Sequence, residues 1–198
     1  MNPMKILGIY GSPRIEGNTD ALLDEVLKGA ESAGAEIASI RCCELTICGC
    51  LECGGCDDTG ECIVDDDMDS VYPQLLEADA IFIATPIFFY SVPSESKALI
   101  DRCQAMWCKR MLEKKTPQQR KKYDGGRGYL IAVGASKGSN LFVGAELVAK
   151  YFYDALDMSY EGGLLVKAVE GKGDIKKRPE YLKEAFELGK SAANASDT

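Results

Sequence analysis

The sequence predicts an α/β fold built on a doubly wound, five-stranded parallel sheet, with a cysteine-rich loop inserted after the second strand. Short apolar runs of strand length alternate along the chain with stretches in which apolar residues have helical spacing. The third run, residues 80–85, is apolar throughout, as expected for a parallel strand that is covered on both faces. Seven of the nine cysteines fall between positions 42 and 62, where they interrupt the alternation after the second run.

Each predicted strand is a short apolar run bounded by glycine, proline or polar residues. The first run ends in Gly-Ser-Pro, which is a strong turn signal. Because helical stretches separate the runs, the strands are expected to pair in parallel through right-handed crossovers. The predicted strands are residues 4–10, 35–40, 80–85, 128–134 and 163–169.

The predicted helices follow from apolar residues that recur every three or four positions. In the first, residues 18–33, Asn18 or Thr19 can cap the start and Gly34 the end. Its apolar stripe is Leu22, Leu23, Val26, Leu27 and Ala30. The others are residues 68–77 with Met68, Val71, Leu75 and Leu76 inward, a helix from Pro93 that carries residues 98–100, residues 145–156, and a helix from Arg178-Pro179 to about residue 190. A polar tail, residues 191–198, completes a single expected domain over residues 1–198.

Composition excludes several classes of protein. With 198 residues, 46% hydrophobic and 27% charged, the chain has globular rather than disordered or fibrous usage. A net charge of −8 disfavours nucleic acid as a partner, and no apolar run approaches the roughly 20 residues of a membrane helix. Gly8, Gly11 and Pro13 interrupt the N-terminal run, unlike a secretory signal, so we expect a cytoplasmic protein. The absence of histidine excludes Ser-His and Cys-His catalytic pairs and His-ligated metals.

Residues 11–19, GSPRIEGNT, connect the first predicted strand to the first helix. Ligands of open α/β sheets bind beyond the carboxyl ends of strands, where a helix N-terminus offers backbone N–H groups to a phosphate. Ser12, Asn18 and Thr19 add donors, and Arg14 adds positive charge. The pattern matches neither a P-loop nor the G-x-G-x-x-G dinucleotide motif. The alternative is an ordinary strand–helix turn with capping residues.

This loop resembles the FMN-phosphate loop of the flavodoxin-like, NAD(P)H-dependent FMN reductases. The resemblance continues at residues 85–93, TPIFFYSVP, at Lys97 and residues 100–102, and at residues 134–138, GASKG. It implies a flavodoxin-like fold and a bound FMN. The implied contacts are Ser12, Arg14, Asn18, Thr19, Pro86, Ile87, Phe88, Phe89, Tyr90, Ser91, Gly134, Ala135 and Ser136. Phe88, Phe89 and Tyr90 could instead pack in the core or at a subunit interface.

Residues 50–62, CLECGGCDDTGEC, place four cysteines within thirteen positions with the spacing C-x2-C-x2-C-x5-C. Close spacing of this kind is a cue for one [4Fe–4S] cluster, and Gly54, Gly55 and Gly60 allow the backbone to wrap around it. A four-cysteine zinc site, disulfides or a reactive redox thiol are the alternatives. Cys48 is an additional cysteine without a place in this spacing. Cys42 and Cys43 are expected to be buried or near a strand end, and Cys103 and Cys108 to be packing residues.

The same compact motif resembles that of the iron–sulfur flavoproteins, a branch of the FMN reductase superfamily, and residues 63–68, IVDDDM, also resemble that group. The resemblance implies that Cys50, Cys53, Cys56 and Cys62 are the cluster ligands. It also implies a homodimer or homotetramer, in which the cluster of one subunit lies near the FMN of another. Ferredoxin-linked electron transfer and the reduction of oxygen or peroxide are the associated activities.

Residues 109–127 hold eight basic and two acidic side chains, a net +6 in an acidic chain. The simplest interpretation is a solvated helix and loop. The segment could also dock an acidic electron carrier such as a ferredoxin, or bind the phosphate of NADPH.

The sequence as a whole predicts an oxidoreductase that carries electrons between FMN and a [4Fe–4S] cluster. Flavin exchanges one or two electrons and a cluster exchanges one, so no side chain has to act as a general acid or base, and we expect no catalytic side chain. The donor is expected to be a ferredoxin or NAD(P)H. The alternatives are an NAD(P)H-dependent FMN or quinone reductase without a cluster, whose cysteines are structural or bind zinc, and a flavin-binding regulatory module without turnover.

Overall fold

Five strands that all run in the same direction form the sheet. The computed structural model describes residues 3–195. Its strands are β1 (Lys5–Tyr10), β2 (Glu36–Arg41), β3 (Ala80–Pro86), β4 (Arg127–Gly134) and β5 (Ser159–Lys167). They lie in the order β2-β1-β3-β4-β5, and every neighbouring pair is parallel. The predicted fold class is therefore confirmed, and the strand order reverses between β1 and β3, where such sheets leave a crevice at their carboxyl ends.

Helices cover both faces of this sheet. They are α1 (Asn18–Ser32), α2 (Met68–Glu77), α3 (Ser94–Arg102), α4 (Gln104–Glu113), α5 (Pro117–Arg120), α6 (Val143–Ala155) and α7 (Pro179–Asn194), with 3-10 turns at Cys42–Glu44 and Asp174–Lys177. One core layer packs under α2, α3, α4 and α6, and the other under α1 and α7. Between residues 3 and 195, every helix is too short or too polar to cross a bilayer.

The start of α1 differs from the prediction. Gly17, not Asn18 or Thr19, occupies the N-cap position, and no side chain accepts a hydrogen bond there. The Asn18 side chain instead donates to the carbonyl of Gly171 and accepts from the N–H of Ile175, because the 3-10 turn after β5 lies alongside. The first N–H groups of α1 are therefore left for another acceptor. The apolar stripe is buried, and Gly34 follows the helix with a φ of +93°, as predicted.

Other differences have local causes. Leu76 is exposed rather than inward, because only one face of α2 meets the sheet. β5 is shifted towards the N-terminus of its predicted range and carries an irregularity opposite Gly128 and Leu130. The expected polar tail begins inside α7, where Ala192 is buried, and residues 196–198 lie outside the described residues. The single domain over residues 1–198 stays a prediction.

The contact between α1 and α7 depends on two glycines. A Cβ atom on Gly189 would lie 1.9 Å from the carbonyl oxygen of Val26, and one on Gly29 would lie 1.9 Å from that of Phe186. The two backbones therefore approach each other more closely than any larger residue allows.

We expect Gly189→Ala to lower the free energy of unfolding by about 1–3 kcal/mol, the usual cost of overpacking, although helix propensity alone favours alanine by about 1 kcal/mol. Urea unfolding measures the change. Ser191→Ala, at an exposed position of the same helix, is the control and should be neutral or slightly stabilising. Equal stabilities for the two variants would contradict the close approach.

Candidate cofactor sites

The loop after β1 is held in shape by its own polar groups. The N–H of Arg14 donates to the hydroxyl of Ser12 (3.0 Å), and the N–H of Glu16, at a φ of +55°, donates to the carboxylate of Asp20 (3.0 Å). Asp20 is buried and also accepts from Arg41 (2.7 Å). Arg14 is exposed and forms no ion pair within residues 3–195. The loop is therefore fixed while its cation stays available.

A cavity of about 450 Å³ lies between this loop and the ends of three other strands. All four candidate residues of the first loop line it, and so do most of those that follow β3 and β4. Its lining contains Ser12, Arg14, Asn18, Thr19, Pro86, Ile87, Phe88, Gly134 and Ala135, together with Pro13, Gly17, Val133, Val169 and Glu170. Four of the candidate residues lie outside the lining, namely Phe89, Tyr90, Ser91 and Ser136.

The sequence analysis missed Val169 because it extended β5 to residue 169, and it assigned no role to Glu170, which follows the strand with either boundary. The strand ends at Lys167, so both residues follow its carboxyl end. The rule that ligands bind beyond strand ends would have identified them with the correct boundary.

Phe88 to Ser91 form a tight two-residue hairpin beside this cavity. Phe88 and Ser91 exchange two backbone hydrogen bonds of 2.9 Å, and the two central residues, Phe89 and Tyr90, have φ values of +48° and +62°. Positive φ at both central positions is typical of a type I′ turn, which favours Asn-Gly. Bulky side chains are rare there, and such strained residues cluster at functional sites. Phe89 is also fully exposed, so core packing does not account for it.

The candidate cluster cysteines line a second cavity, of about 610 Å³, between the cysteine-rich segment and the junction of α3 and α4. Cys50, Cys53, Cys56 and Cys62 all line it. All nine cysteines are free thiols. The helical side of the cavity contains Asp101, Arg102, Gln104 and Ala105, none of which the sequence analysis assigned to the site.

The cysteine-rich segment is anchored by an ion pair between the buried Arg102 and the partly buried Asp66. The Asp66 carboxylate accepts from Arg102 (2.6 Å), from the N–H of Cys48 (2.9 Å) and from the N–H of Met68 (3.0 Å). Arg102 also donates to the carbonyls of Cys48 and Val64, both at 3.0 Å. The chain just before Cys50 and the chain just after Cys62, here called the two limbs of the segment, are therefore both hydrogen-bonded to the end of α3.

The contact with Arg102 also affects the protonation of Asp66 and of Cys62. Burial opposes ionisation of Asp66, but Arg102 and the two backbone donors outweigh it and lower the pKa of this carboxyl. In the same way, burial of Cys62 is outweighed by the N–H of Val64 and by Arg102, which lower the pKa of the Cys62 thiol. Thiolate is the form that binds metal, so the site favours the ligating form of Cys62.

Cys56 lies in a different environment. Its sulfur is 3.7 Å from that of Cys108, and Cys108 is 3.7 Å from a carboxylate oxygen of Asp57. Burial, and then the neighbouring Cys108, raise the pKa of the Cys56 thiol to about 11. Cys108 is buried as predicted, but it packs against a candidate ligand rather than only against the core. Cys108 lies 52 positions from Cys56 along the chain, so no local sequence pattern predicts this contact.

Of the remaining cysteines, Cys48 is exposed and the other three have packing environments. Cys42 and Cys103 are buried, and the half-buried Cys43 lies with Cys42 in the 3-10 turn that follows β2. Burial raises the pKa of the Cys42 thiol to about 11 and that of Cys103 further. These environments agree with the structural roles predicted for them.

The basic segment forms α4, α5 and the loop to β4, and part of its charge is neutralised internally. Arg110 is buried and pairs with Asp154 (3.1 Å) and Asp157 (2.7 Å), while Lys114 pairs with Asp157 and Asp124. The interpretation as a wholly solvated segment is therefore wrong for Arg110. The exposed cations are Lys115, Arg120, Lys121 and Lys122.

Comparison with known proteins identifies the family. Residues 4–160 match the model of the NADPH-dependent FMN reductase family. The chain is also 30% identical over 198 residues to an Iron-sulfur flavoprotein of Methanocaldococcus jannaschii, an alignment that covers 96% of each chain. This chain belongs to the iron–sulfur flavoproteins within the FMN reductase family. The predicted resemblance is therefore confirmed, and the family is one of flavin-dependent oxidoreductases.

Solved structures confirm the flavodoxin-like fold of this iron–sulfur flavoprotein. Flavone reductase superposes with a TM-score of 0.74 at 22% identity, over 97% of this chain and 62% of that chain. A flavodoxin from the domain Archaea superposes with a TM-score of 0.52 at 16% identity, over 96% of each chain. At these identities the comparison concerns the fold alone.

The strained hairpin gives a prediction on stability. We expect the double variant Phe89→Asn/Tyr90→Gly to raise the free energy of unfolding by about 1–2 kcal/mol, because these residues adopt positive φ readily. Urea unfolding of the flavin-free protein measures the gain. The matched control is Phe89→Leu/Tyr90→Leu, which also removes both rings but keeps a Cβ atom at each strained position. A gain of equal size in the control would show that backbone strain is not the cause.

Proposed function

We propose that this iron–sulfur flavoprotein binds FMN in the cavity at the carboxyl edge of the sheet, holds one [4Fe–4S] cluster on Cys50, Cys53, Cys56 and Cys62, and carries electrons between them. The observation that supports this most is the collection of all four thiols around one cavity. The FMN of the family model and the name of the M. jannaschii relative agree with both cofactors.

The residues of the first cavity fit FMN. The uncapped N-terminus of α1 offers N–H groups that suit a phosphate, and Arg14 supplies a cation at the same end. Pro86, Ile87 and Phe88 form an apolar wall after β3 that fits a flat ring system. Gly17 allows a close approach of the backbone, since a Cβ atom there would lie 2.9 Å from the carbonyl oxygen of Arg14.

The residues of the second cavity fit a cluster. Four thiols with no disulfide among them supply the ligands. Arg102 places a buried cation beside them, and its Nε atom has no hydrogen-bond partner within residues 3–195. A buried, unpartnered N–H is costly, so a sulfur acceptor in this cavity would remove that cost. Four thiolates could also bind a zinc ion, but the family relation disfavours that alternative.

In this proposal the side chains position the two cofactors and adjust their potentials, and they transfer no protons. When bound, FMN exchanges one or two electrons and the cluster exchanges one, which allows two-electron and one-electron partners to be coupled. Arg14 and the start of α1 would hold the phosphate end, and Pro86, Ile87 and Phe88 would lie against the ring. Arg102 and Asp66 hold the cysteine-rich segment. No general acid or base is assigned.

The donor in this proposal is NAD(P)H or a reduced ferredoxin, and the acceptor includes oxygen or peroxide. The exposed cations of residues 115–122 could meet an acidic carrier, since opposite charge speeds encounter. The homodimer or homotetramer and the cytoplasmic location predicted from the sequence stay predictions.

The cluster is tested by iron and acid-labile sulfide analysis of protein purified without air. We expect about four of each per chain in the wild type and a loss of most of both in Cys62→Ser. Cys48→Ser is the control, because the exposed Cys48 contributes only backbone groups to the site. Zinc in place of iron, or full iron in Cys62→Ser, would contradict the proposed ligand set.

Arg14→Gln tests the phosphate end of the flavin site. We expect the Kd for FMN to rise roughly tenfold, since one charge-assisted hydrogen bond is worth about 1.5 kcal/mol. The Kd for riboflavin, which lacks the phosphate, should not change. Quenching of flavin fluorescence measures both. Lys176→Gln removes the same charge from a neighbouring exposed position and should leave both constants unchanged, whereas equal weakening of FMN and riboflavin binding would refute the assignment.

A further inference from the structure

Arg102 is the most deeply buried charged side chain of the cysteine cavity, with 1% of its surface exposed. It is the last residue of α3, and its main-chain carbonyl accepts from the hydroxyl of Tyr72 (3.0 Å). Its Nη1 group donates hydrogen bonds to Asp66 and to the carbonyl of Cys48, and its Nη2 group donates to the carbonyl of Val64. The guanidinium is thus fixed from several directions.

The position of these partners along the chain is informative. Cys48 precedes Cys50, the first candidate ligand, and Val64 follows Cys62, the last one. One side chain therefore joins both limbs of the segment that carries all four ligands. Three short contacts to Asp66 and to two carbonyls would suffice for this structural task.

The Nε–H group of Arg102 takes no part in these contacts. It is buried and has no partner within residues 3–195, although Arg102 lines the cavity that the ligands share. Cys62 lines the same cavity as Arg102, and Val64, two positions beyond Cys62, accepts a hydrogen bond from Arg102 (3.0 Å). A buried donor without a partner, held beside a thiol, points to an acceptor that is present when the site is loaded.

We propose that Arg102 is a positioning residue of the cluster site, which fastens both limbs of the cysteine-rich segment and holds its Nε–H for the thiolate sulfur of Cys62. This inference rests on the proposed function. Hydrogen bonds to ligand sulfurs and nearby charge set the reduction potential of iron–sulfur clusters. Arg102 therefore raises the potential of the cluster as well as holding the loop.

The test is an anaerobic titration of the cluster by electron paramagnetic resonance in Arg102→Lys. Lysine keeps the charge but cannot replace the planar set of donors. We expect the equilibrium constant for one-electron reduction to fall at least tenfold, a shift of about −59 mV, with faster loss of iron to a chelator.

Arg110→Lys is the matched control, because Arg110 is also a buried arginine held by carboxylates, on α4 and away from the candidate ligands. It should lower the Tm without changing the potential. Asp66→Asn keeps Arg102 but removes its compensating charge, so the potential should shift upwards. If Arg102→Lys folds without taking up iron while Arg110→Lys takes up its full complement, the positioning role is supported; equal loss of iron from both variants would contradict it.

An unchanged potential in iron-loaded Arg102→Lys, or a downward shift in Asp66→Asn, would overturn this inference while leaving the proposed function intact. Wild-type protein that binds no iron or sulfide would overturn the proposed function, and the inference with it. Opposite shifts in the two variants, with no shift in Arg110→Lys, would support it.

Discussion

The parallel direction of all five strands is the constraint on which the rest of the structure depends. Because every carboxyl end lies at the same edge, the loops after β1, β3, β4 and β5 meet there, although they are separated by up to about 150 positions in sequence. Strands of this kind need helices on both faces, and the apolar runs of β3 and β4 are buried accordingly. The second loop, after β2, is at the sheet edge and is free to extend into the cysteine-rich segment without disturbing the crevice.

That segment has little secondary structure, so its shape depends on a few polar contacts. Burying the pair of Arg102 and Asp66 has a desolvation cost that their attraction alone does not clearly offset, whereas removing one partner from such a pair typically costs about 3–5 kcal/mol. Here both groups are satisfied by further hydrogen bonds to Cys48, Val64 and Met68. The pair is therefore better understood as a device that specifies one loop conformation than as a source of stability.

The sequence was most informative where a local pattern has a single physical meaning. Buried parallel strands need apolar residues on both faces, so their runs were visible. The spacing of residues 50–62 favoured a cluster over a zinc site, disulfides or a redox thiol. Contacts between residues far apart in the chain could not be predicted from local patterns. Nothing near Arg102 indicates that it meets residues 36 to 54 positions away, and nothing near Cys108 indicates Cys56. The positive φ values of Phe89 and Tyr90 were not predicted, because aromatic residues ordinarily indicate a strand rather than a turn.

One helix joins the two cavities and determines how they are related. α3 begins just after the hairpin beside the cavity proposed for FMN and ends at Arg102, which lines the cavity of the candidate cluster cysteines, a span of about 13 Å at 1.5 Å per residue. Near its start, Ser96 donates to the carbonyl of Gly11 (2.7 Å), which ties α3 to the loop after β1. Its end is tied to the cysteine-rich segment by Arg102. Since the helix between these two attachments is continuous, the spacing of the two cavities within one chain is set by a rigid element.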